Sequence, residues 1–211
     1  MYLKYLLLVA FTFITIGIFA QDEGIPSRRF GATIFAGFNA SQIDGDESAG
    51  FNKVGINAGL RSDIFLTAKT ELNIGIRFSQ RGSRPDNKEI FLDEFIYGLN
   101  YIQVPVLFTY KDWFQKEGNF HKVRAFGGFS FGRLVGTNLD QTPFDFRPEE
   151  LQKTSLGFHF GIGYNLNKNF RVSTEYMRDL IPLYNVRNIA MPVVTRSQII
   201  KTINFKLEYS L

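Results

Sequence analysis

The chain has 211 residues, a formal net charge of +4 and no cysteine. Aromatic residues make up 16% of the chain and charged residues 21%. This composition excludes a disordered chain, a coiled coil, a collagen-like chain and a disulfide-stabilised mini-protein. The lack of cysteine also excludes a thiolate metal site and a cysteine nucleophile. The length predicts one domain.

The first 21 residues form an apolar segment that we expect to be removed from the mature protein. Lys4 is the only charge in it, and small residues precede the first acidic residue, Asp22. This arrangement is typical of a secretory signal peptide. An uncleaved anchor is the alternative, because the apolar run approaches the ~18 residues that can span a bilayer. We predict a signal peptide over 1–21 and a single domain over 22–211.

Strict alternation of apolar and polar residues recurs along the mature chain and predicts half-exposed β-strands. The predicted strands, in chain order, are Phe30–Ser41, Val54–Phe65, Glu71–Ser79, Asn100–Tyr110, Val123–Leu134, Ser155–Leu166, Phe170–Tyr176 and Thr202–Leu211. Successive side chains point to opposite faces, so each strand has one apolar and one polar face. Pro105 lies inside the fourth strand and has no ladder donor, so we expect a local bulge there.

The connections between the predicted strands alternate in length. Those expected to be short or intermediate are Leu66–Thr70, Lys111–Asn119 and Asn165–Asn169, and the long ones are Gln42–Lys53, Arg81–Gly98, Gly136–Thr154 and Asp179–Ser197. Tight periplasmic turns alternating with longer outer loops are typical of bacterial outer-membrane barrels. The pattern predicts an even number of strands with both termini on the periplasmic side.

The alternation fits a membrane barrel, with its apolar face towards lipid, or a soluble barrel or sandwich, with that face inside. Opposite charges occur together on the polar faces, as Arg61 with Asp63, Glu71 with Arg77, Arg171 with Glu175 and Lys206 with Glu208. A narrow lumen must be filled, and these charges can fill it as an ion-pair network. Aromatic residues gather near the strand ends, as membrane interfaces favour. We therefore predict an all-β, closed, up-and-down antiparallel transmembrane barrel of eight strands in the outer membrane.

Several segments resemble a known family. They are Gly31–Ser41, Gly50–Gly59, Phe78–Gly82, Leu99–Tyr110, Ala125–Gly132 and Phe160–Tyr164, and the most specific run is Asn100–Pro105. On these segments the chain resembles the PorT-like outer-membrane β-barrel family of Bacteroidota, which is similar in shape to small OmpX- and OmpA-type barrels. The resemblance implies a cleaved signal, eight strands and insertion by the outer-membrane assembly machinery. Such families often end in an aromatic residue, whereas this chain ends in Leu211.

Motifs for chemistry are scarce. The only histidines are His121, expected near a periplasmic turn, and His159, expected to be hydrogen-bonded inside the lumen. No nucleophile elbow, phosphate-binding loop or HExxH motif occurs. We predict no enzyme activity and no catalytic, cofactor-binding or metal-binding residue. The sequence has no stripe of basic residues, so we expect no nucleic-acid partner.

The second long loop carries Phe91, Phe95 and Tyr97, which we interpret as a surface for docking a partner. The predicted function is that of a structural or interaction protein with a filled lumen, or an accessory subunit of an envelope complex. A narrow pore or transport protein and a soluble barrel that binds a ligand are the alternatives. The predicted partners are outer-membrane lipid, the assembly machinery during insertion and an envelope protein.

Overall fold

The computed structural model describes residues 28–44, 50–84, 97–139, 151–183 and 198–211. The predicted signal peptide and the loop residues Phe91 and Phe95 lie outside the described residues. The eight strands are β1 (Phe30–Asp44), β2 (Lys53–Phe65), β3 (Thr70–Ser83), β4 (Tyr97–Gln115), β5 (Phe120–Leu139), β6 (Thr154–Asn165), β7 (Phe170–Asp179) and β8 (Ile199–Ser210).

The strands form one closed antiparallel barrel. Each strand pairs with the next along the chain, and β8 returns to pair with β1, with Phe38 opposite Phe205. The predicted fold of eight up-and-down strands is therefore confirmed. Closure gives every strand two neighbours, so no strand edge is left unpaired along the barrel wall.

The two ends of the barrel differ in their connections. Residues 66–69, 116–119 and 166–169 form three four-residue turns at one end, where β1 begins and β8 ends. We call this the turn end. The longer connections meet at the opposite end, which we call the loop end. The connection between β4 and β5 is shorter than expected, because both strands continue past the predicted boundaries to Gln115 and Phe120.

The barrel has its apolar side chains outside and its charges inside. Ile76 and Leu207 are 47% and 53% exposed, whereas the neighbouring Arg77 and Lys206 are 1% and 6% exposed. A water-soluble barrel would have the opposite arrangement. The alternation thus assigns the faces as a membrane environment requires. A charge that faces lipid has no partner, whereas a charge inside the lumen can be paired, which offsets much of the cost of burying it.

Among the described residues, no helix is long and apolar enough to cross a membrane.

The expected bulge at Pro105 is wrong. Pro105 pairs in register with Ser130 of β5, and the register between β3 and β4 is the same before and after the proline. Proline removes one ladder donor without adding a residue, so it does not force a register shift. The irregularity of β4 lies between Asn100 and Tyr101, where the β5 partner changes from Gly136 to Leu134.

Two inward glycines make room for large inward side chains. A Cβ atom on Gly59 or on Gly161 would collide with the backbone of the next strand and with the ring of Phe35 or Phe126, respectively. Only glycine therefore allows the strands and the two rings to approach so closely. These two phenylalanines are the large aromatic groups beside the charged lumen, and both are at most 9% exposed.

Candidate functional site

The middle of the lumen is organised around the carboxylate of Glu175. Its Oε1 atom lies 2.6 Å from Nη1 of Arg77 and 2.8 Å from Nδ1 of His159, and its Oε2 atom lies 2.5 Å from Nζ of Lys206. All four side chains are at most 4% exposed. Gln103 accepts hydrogen bonds from the Arg77 guanidinium at 2.8 and 3.1 Å. We call these five residues the mid-lumen cluster.

Lys206 is held from three directions. In addition to its bond to Glu175, its Nζ atom lies 5.6 Å from the ring centre of Phe35 and 5.2 Å from that of Phe126. A cation between two aromatic faces is stabilised electrostatically, and more strongly where water is excluded. The two rings thus solvate a charge that would otherwise be costly to bury.

Above the mid-lumen cluster, towards the loop end, a further ion pair joins β3 to β7. Nη1 of Arg81 lies 2.9 Å from Oδ1 of Asp179, and its guanidinium lies 4.1 Å from the ring centre of Tyr101. Arg81 is fully buried. Sequence reasoning placed Arg81 and Asp179 in loops and missed this pair, although both continue the inward parity of their strands.

The loop-end mouth of the lumen is closed by apolar side chains. One hydrophobic cluster of buried residues lies there, and its members are Ile43, Leu99, Tyr101, Leu151, Leu183 and Ile200. Leu151 and Leu183 belong to connections rather than strands, and both are 3% exposed. Parts of two long connections are therefore packed into the mouth and cover the charges below it. We call this group the apolar cap.

Below the mid-lumen cluster, towards the turn end, Glu208 and Asp63 bind two arginines. Glu208 Oε2 lies 2.8 Å from Arg61 Nη2 and 2.7 Å from Arg171 Nη1. Arg61 also contacts Asp63 at 2.7 Å, and Asp63 accepts a hydrogen bond of 2.5 Å from Thr33. Each carboxylate oxygen thus has a cationic or hydroxyl donor, which a buried charge requires.

Glu71 forms the last layer of charge, and a cavity opens beside it. Glu71 pairs with Arg124 and, at 3.3 Å, with Lys111. The cavity has a volume of about 600 Å³, and its lining includes Glu71, Arg124, Arg171 and the rim residue Lys168. Residues of the turns and of both barrel termini surround it, so it opens at the turn end. We call it the vestibule.

All eight residues of the predicted lumen network point inward and are at most 9% exposed. They are Arg61, Asp63, Glu71, Arg77, Arg171, Glu175, Lys206 and Glu208. Only Arg61 and Asp63 form the ion pair that their spacing in the sequence suggested. The other six pair across strands, as Arg77 does with Glu175, 98 residues away. Alternation identifies the face of a residue, but closure of the barrel decides which residues meet.

His159 lies in the lumen with both ring nitrogens bonded. Nε2 lies 2.7 Å from Oγ of Ser130, and Nδ1 lies 2.8 Å from Glu175. Serine, histidine and carboxylate thus follow one another in the order of an acyl-transfer triad. All three side chains are at most 1% exposed, and none of them is among the residues that line the vestibule. In the described part of the chain, no group of three or more His, Asp or Glu side chains is arranged to hold a metal ion.

Tyr97, which the sequence placed in the second long loop, is the first residue of β4 and pairs with Ser83 and Leu139. The other two residues of the predicted docking loop lie outside the described residues. Docking of a partner by this loop stays a prediction.

Comparison with family models assigns the chain to a family. The model for the outer membrane protein beta-barrel domain matches residues 19–185. The chain belongs to the outer membrane protein beta-barrel domain family. Its location is therefore the outer membrane, and the alternative of a soluble ligand-binding barrel is wrong. Outer-membrane barrels have short turns on the periplasmic side and longer loops outside, so we assign the turn end to the periplasm and the loop end to the cell exterior.

Several solved barrels are similar in fold. Ail, the attachment invasion locus protein of Yersinia pestis, is 14% identical, with a TM-score of 0.49 over 87% of this chain and 100% of that chain. Neisserial surface protein A is 11% identical, with a TM-score of 0.47 over 86% and 97%. OprG of Pseudomonas aeruginosa is 13% identical, with a TM-score of 0.43 over 89% and 99%. A search of curated proteins finds no match.

Proposed function

We propose that this protein is a non-conducting outer-membrane barrel that acts as a structural or interaction protein, as an accessory subunit of an envelope complex. The observation that carries the proposal is the filling of the lumen. The apolar cap, the Arg81–Asp179 pair and the mid-lumen cluster follow one another along the axis. In this proposal they occupy its outer half and prevent a continuous water path. A barrel of eight strands has room inside for side chains but not for a water channel.

A filled lumen also suits a scaffold that presents its loops. Leu151 and Leu183 insert into the mouth and hold the described ends of two long connections against the barrel wall. Connections fixed in this way lose less conformational entropy when a partner binds them. The partner in this proposal is an envelope protein. Phe91 and Phe95 of the second long connection, together with Tyr97 at the start of β4, supply apolar contacts.

Photo-crosslinking in cells tests the docking role. A photoreactive amino acid replaces Phe95 in one variant and Lys116, in a periplasmic turn, in the other. We expect a discrete crosslinked protein from position 95 that position 116 does not give. Crosslinks to the assembly machinery alone, equal at both positions, would count against a stable partner at the loop end. We also propose the narrower assignment to the PorT-like family of Bacteroidota. The same crosslinking experiment in a Bacteroidota host tests whether a partner is present in that envelope.

A narrow pore is the second candidate, and the vestibule favours it. This cavity of about 600 Å³ already opens the periplasmic part of the lumen to water. Within the described part of the chain, the mid-lumen cluster and the layers above it separate the vestibule from the exterior. Recording currents across planar bilayers distinguishes the two functions. We expect no steady openings from the folded protein, and reproducible unitary conductance would favour the pore.

We propose that the Ser130–His159–Glu175 chain packs the lumen and does not catalyse a reaction. The carboxylate that would orient the histidine is already neutralised by Arg77 and Lys206, and the vestibule does not reach Ser130. A fluorophosphonate probe, which reacts with activated serines, should not label the folded protein. Labelling that is lost in Ser130→Ala would show an active nucleophile instead.

A further inference from the structure

The outward face formed by β6, β7 and β8 carries two cations that the lumen network does not include. In the fully described strands β6, β7 and β8, all outward positions but two are apolar or uncharged. The exceptions are Arg178 and Lys201, each within two residues of the loop end of its strand. The cations therefore lie at the exterior edge of the surface that faces lipid.

These two cations lie directly opposite each other, because Arg178 of β7 pairs in register with Lys201 of β8. Like charges at directly opposed positions repel. Lys201 contacts Asp44 of β1, with Nζ 2.5 Å from Oδ2. Arg178 is exposed and has no ion-pair partner within the described part of the chain. An anion between the two side chains would remove the repulsion and give the guanidinium an acceptor.

Aromatic side chains continue the surface from the cations towards the membrane centre. Phe158 of β6 lies opposite Arg178, and Phe160 lies opposite Tyr176 with ring centres 5.1 Å apart. Phe158 and Phe160 are 38% and 53% exposed, on the outward face. A cationic end above a broad aromatic surface matches an amphiphile with an anionic head and acyl chains.

The depth of the two cations indicates which head group they meet. A cation that faces lipid costs about 2–4 kcal/mol at the bilayer midplane and about 0–1 kcal/mol near the interface. Their position at the strand ends places them at the interface, where lipid phosphates lie. A guanidinium binds a phosphate through two parallel hydrogen bonds, and an ammonium adds a third donor group.

We propose that Arg178 and Lys201 bind a phosphate group of an anionic lipid in the outer leaflet, with an acyl chain along Phe158, Phe160 and Tyr176. The site is independent of what fills the lumen or docks at the loops. It makes the barrel selective for phosphorylated lipid on one side of its circumference, the side formed by β6, β7 and β8.

Native mass spectrometry of the full chain in a non-ionic detergent tests the site. The probe is diphosphoryl lipid A, and the comparison is the same lipid after enzymatic removal of both phosphates. We expect the wild type to retain the diphosphoryl form, and to retain the dephosphorylated form at least about tenfold less, because the charge-assisted bonds are lost. Equal retention of the two lipids would overturn the proposal.

Variants locate the site. Arg178→Gln combined with Lys201→Gln should weaken retention at least about tenfold, because both phosphate donors are removed. The control pair Lys116→Gln and Lys168→Gln removes the same charge from exposed periplasmic turns and should bind like the wild type. An equal loss in both pairs would mean unspecific attraction and would overturn the assignment. The heat-dependent shift in gel mobility of folded barrels verifies that each variant is folded.

Two further measurements separate the parts of the site. Phe158→Ala keeps both charges and should still reduce retention, since the acyl surface is smaller; unchanged retention would contradict the acyl part of the proposal. Inorganic phosphate, added at the same concentration as the lipid, should not displace it. Displacement would identify a site for a free anion and would overturn the assignment to lipid.

Discussion

The mid-lumen cluster and the charges around the vestibule use the same side-chain chemistry in different surroundings. Glu175 binds Arg77, His159 and Lys206 beneath the apolar cap, and none of these four residues lines the cavity. Glu71 binds Lys111 and Arg124 in the wall of a cavity that opens to the periplasm. We therefore expect the loss of a charged partner to cost more in the mid-lumen cluster than at the vestibule, where water can replace the missing partner.

The largest expected effect comes from Glu175→Gln. The substitution keeps the size of the side chain and leaves Arg77 and Lys206 buried without a counter-charge. Loss of one partner from a buried ion pair costs about 3–5 kcal/mol. Urea unfolding in lipid vesicles should show a lower midpoint with an unchanged slope. Glu117→Gln, in an exposed turn, is the control and should leave the midpoint in place.

A smaller effect is expected from Glu71→Gln. Here the two cations left behind border the vestibule, where water can solvate them. The cost should therefore be about 1–3 kcal/mol, as for a lost hydrogen bond to a charged group. The same unfolding measurement tests it. A loss as large as that of Glu175→Gln would show that the turn end is as dry as the middle of the lumen.

The smallest effect is expected from Phe126→Leu. This substitution removes one of the two rings beside Lys206 and keeps an apolar side chain in the lumen. The lost cation–π interaction is worth about 1–2 kcal/mol in a desolvated site. Phe129→Leu, on the outward face of the same strand, is the matched control and should cost less. If both variants lose equal stability, the ring of Phe126 stabilises the barrel only through the volume that it fills and not through its interaction with Lys206.

Alternation in the sequence predicts the number of strands and the face of each residue, because the side-chain period of a strand is 2. It predicts strand ends poorly. Arg81 and Asp179 continue the inward parity of β3 and β7, but the small polar residues around Arg81 resemble a loop. The contacts of Leu151 and Leu183 could not be predicted, because residues in connections carry no periodic signal.

The sequence also does not predict which charged side chains pair with each other inside the lumen. Spacing along one strand suggested that Glu71 pairs with Arg77, whereas Arg77 reaches Glu175 across the lumen and Glu71 binds Arg124. Strands tilt in a barrel, so residues at one level come from distant parts of the chain. The sequence shows that both signs of charge are present, but it does not show which side chains meet.

Thiol accessibility tests the central claim, that the lumen is sealed in its middle and that the vestibule opens at the periplasmic end. The chain has no cysteine, so Ser130→Cys in the mid-lumen and Ser210→Cys in the vestibule wall each give a single reporter. A small charged thiol reagent should label Ser210→Cys in the folded protein and leave Ser130→Cys unmodified, while both react after unfolding in urea. Equal labelling of the two folded variants would contradict the account.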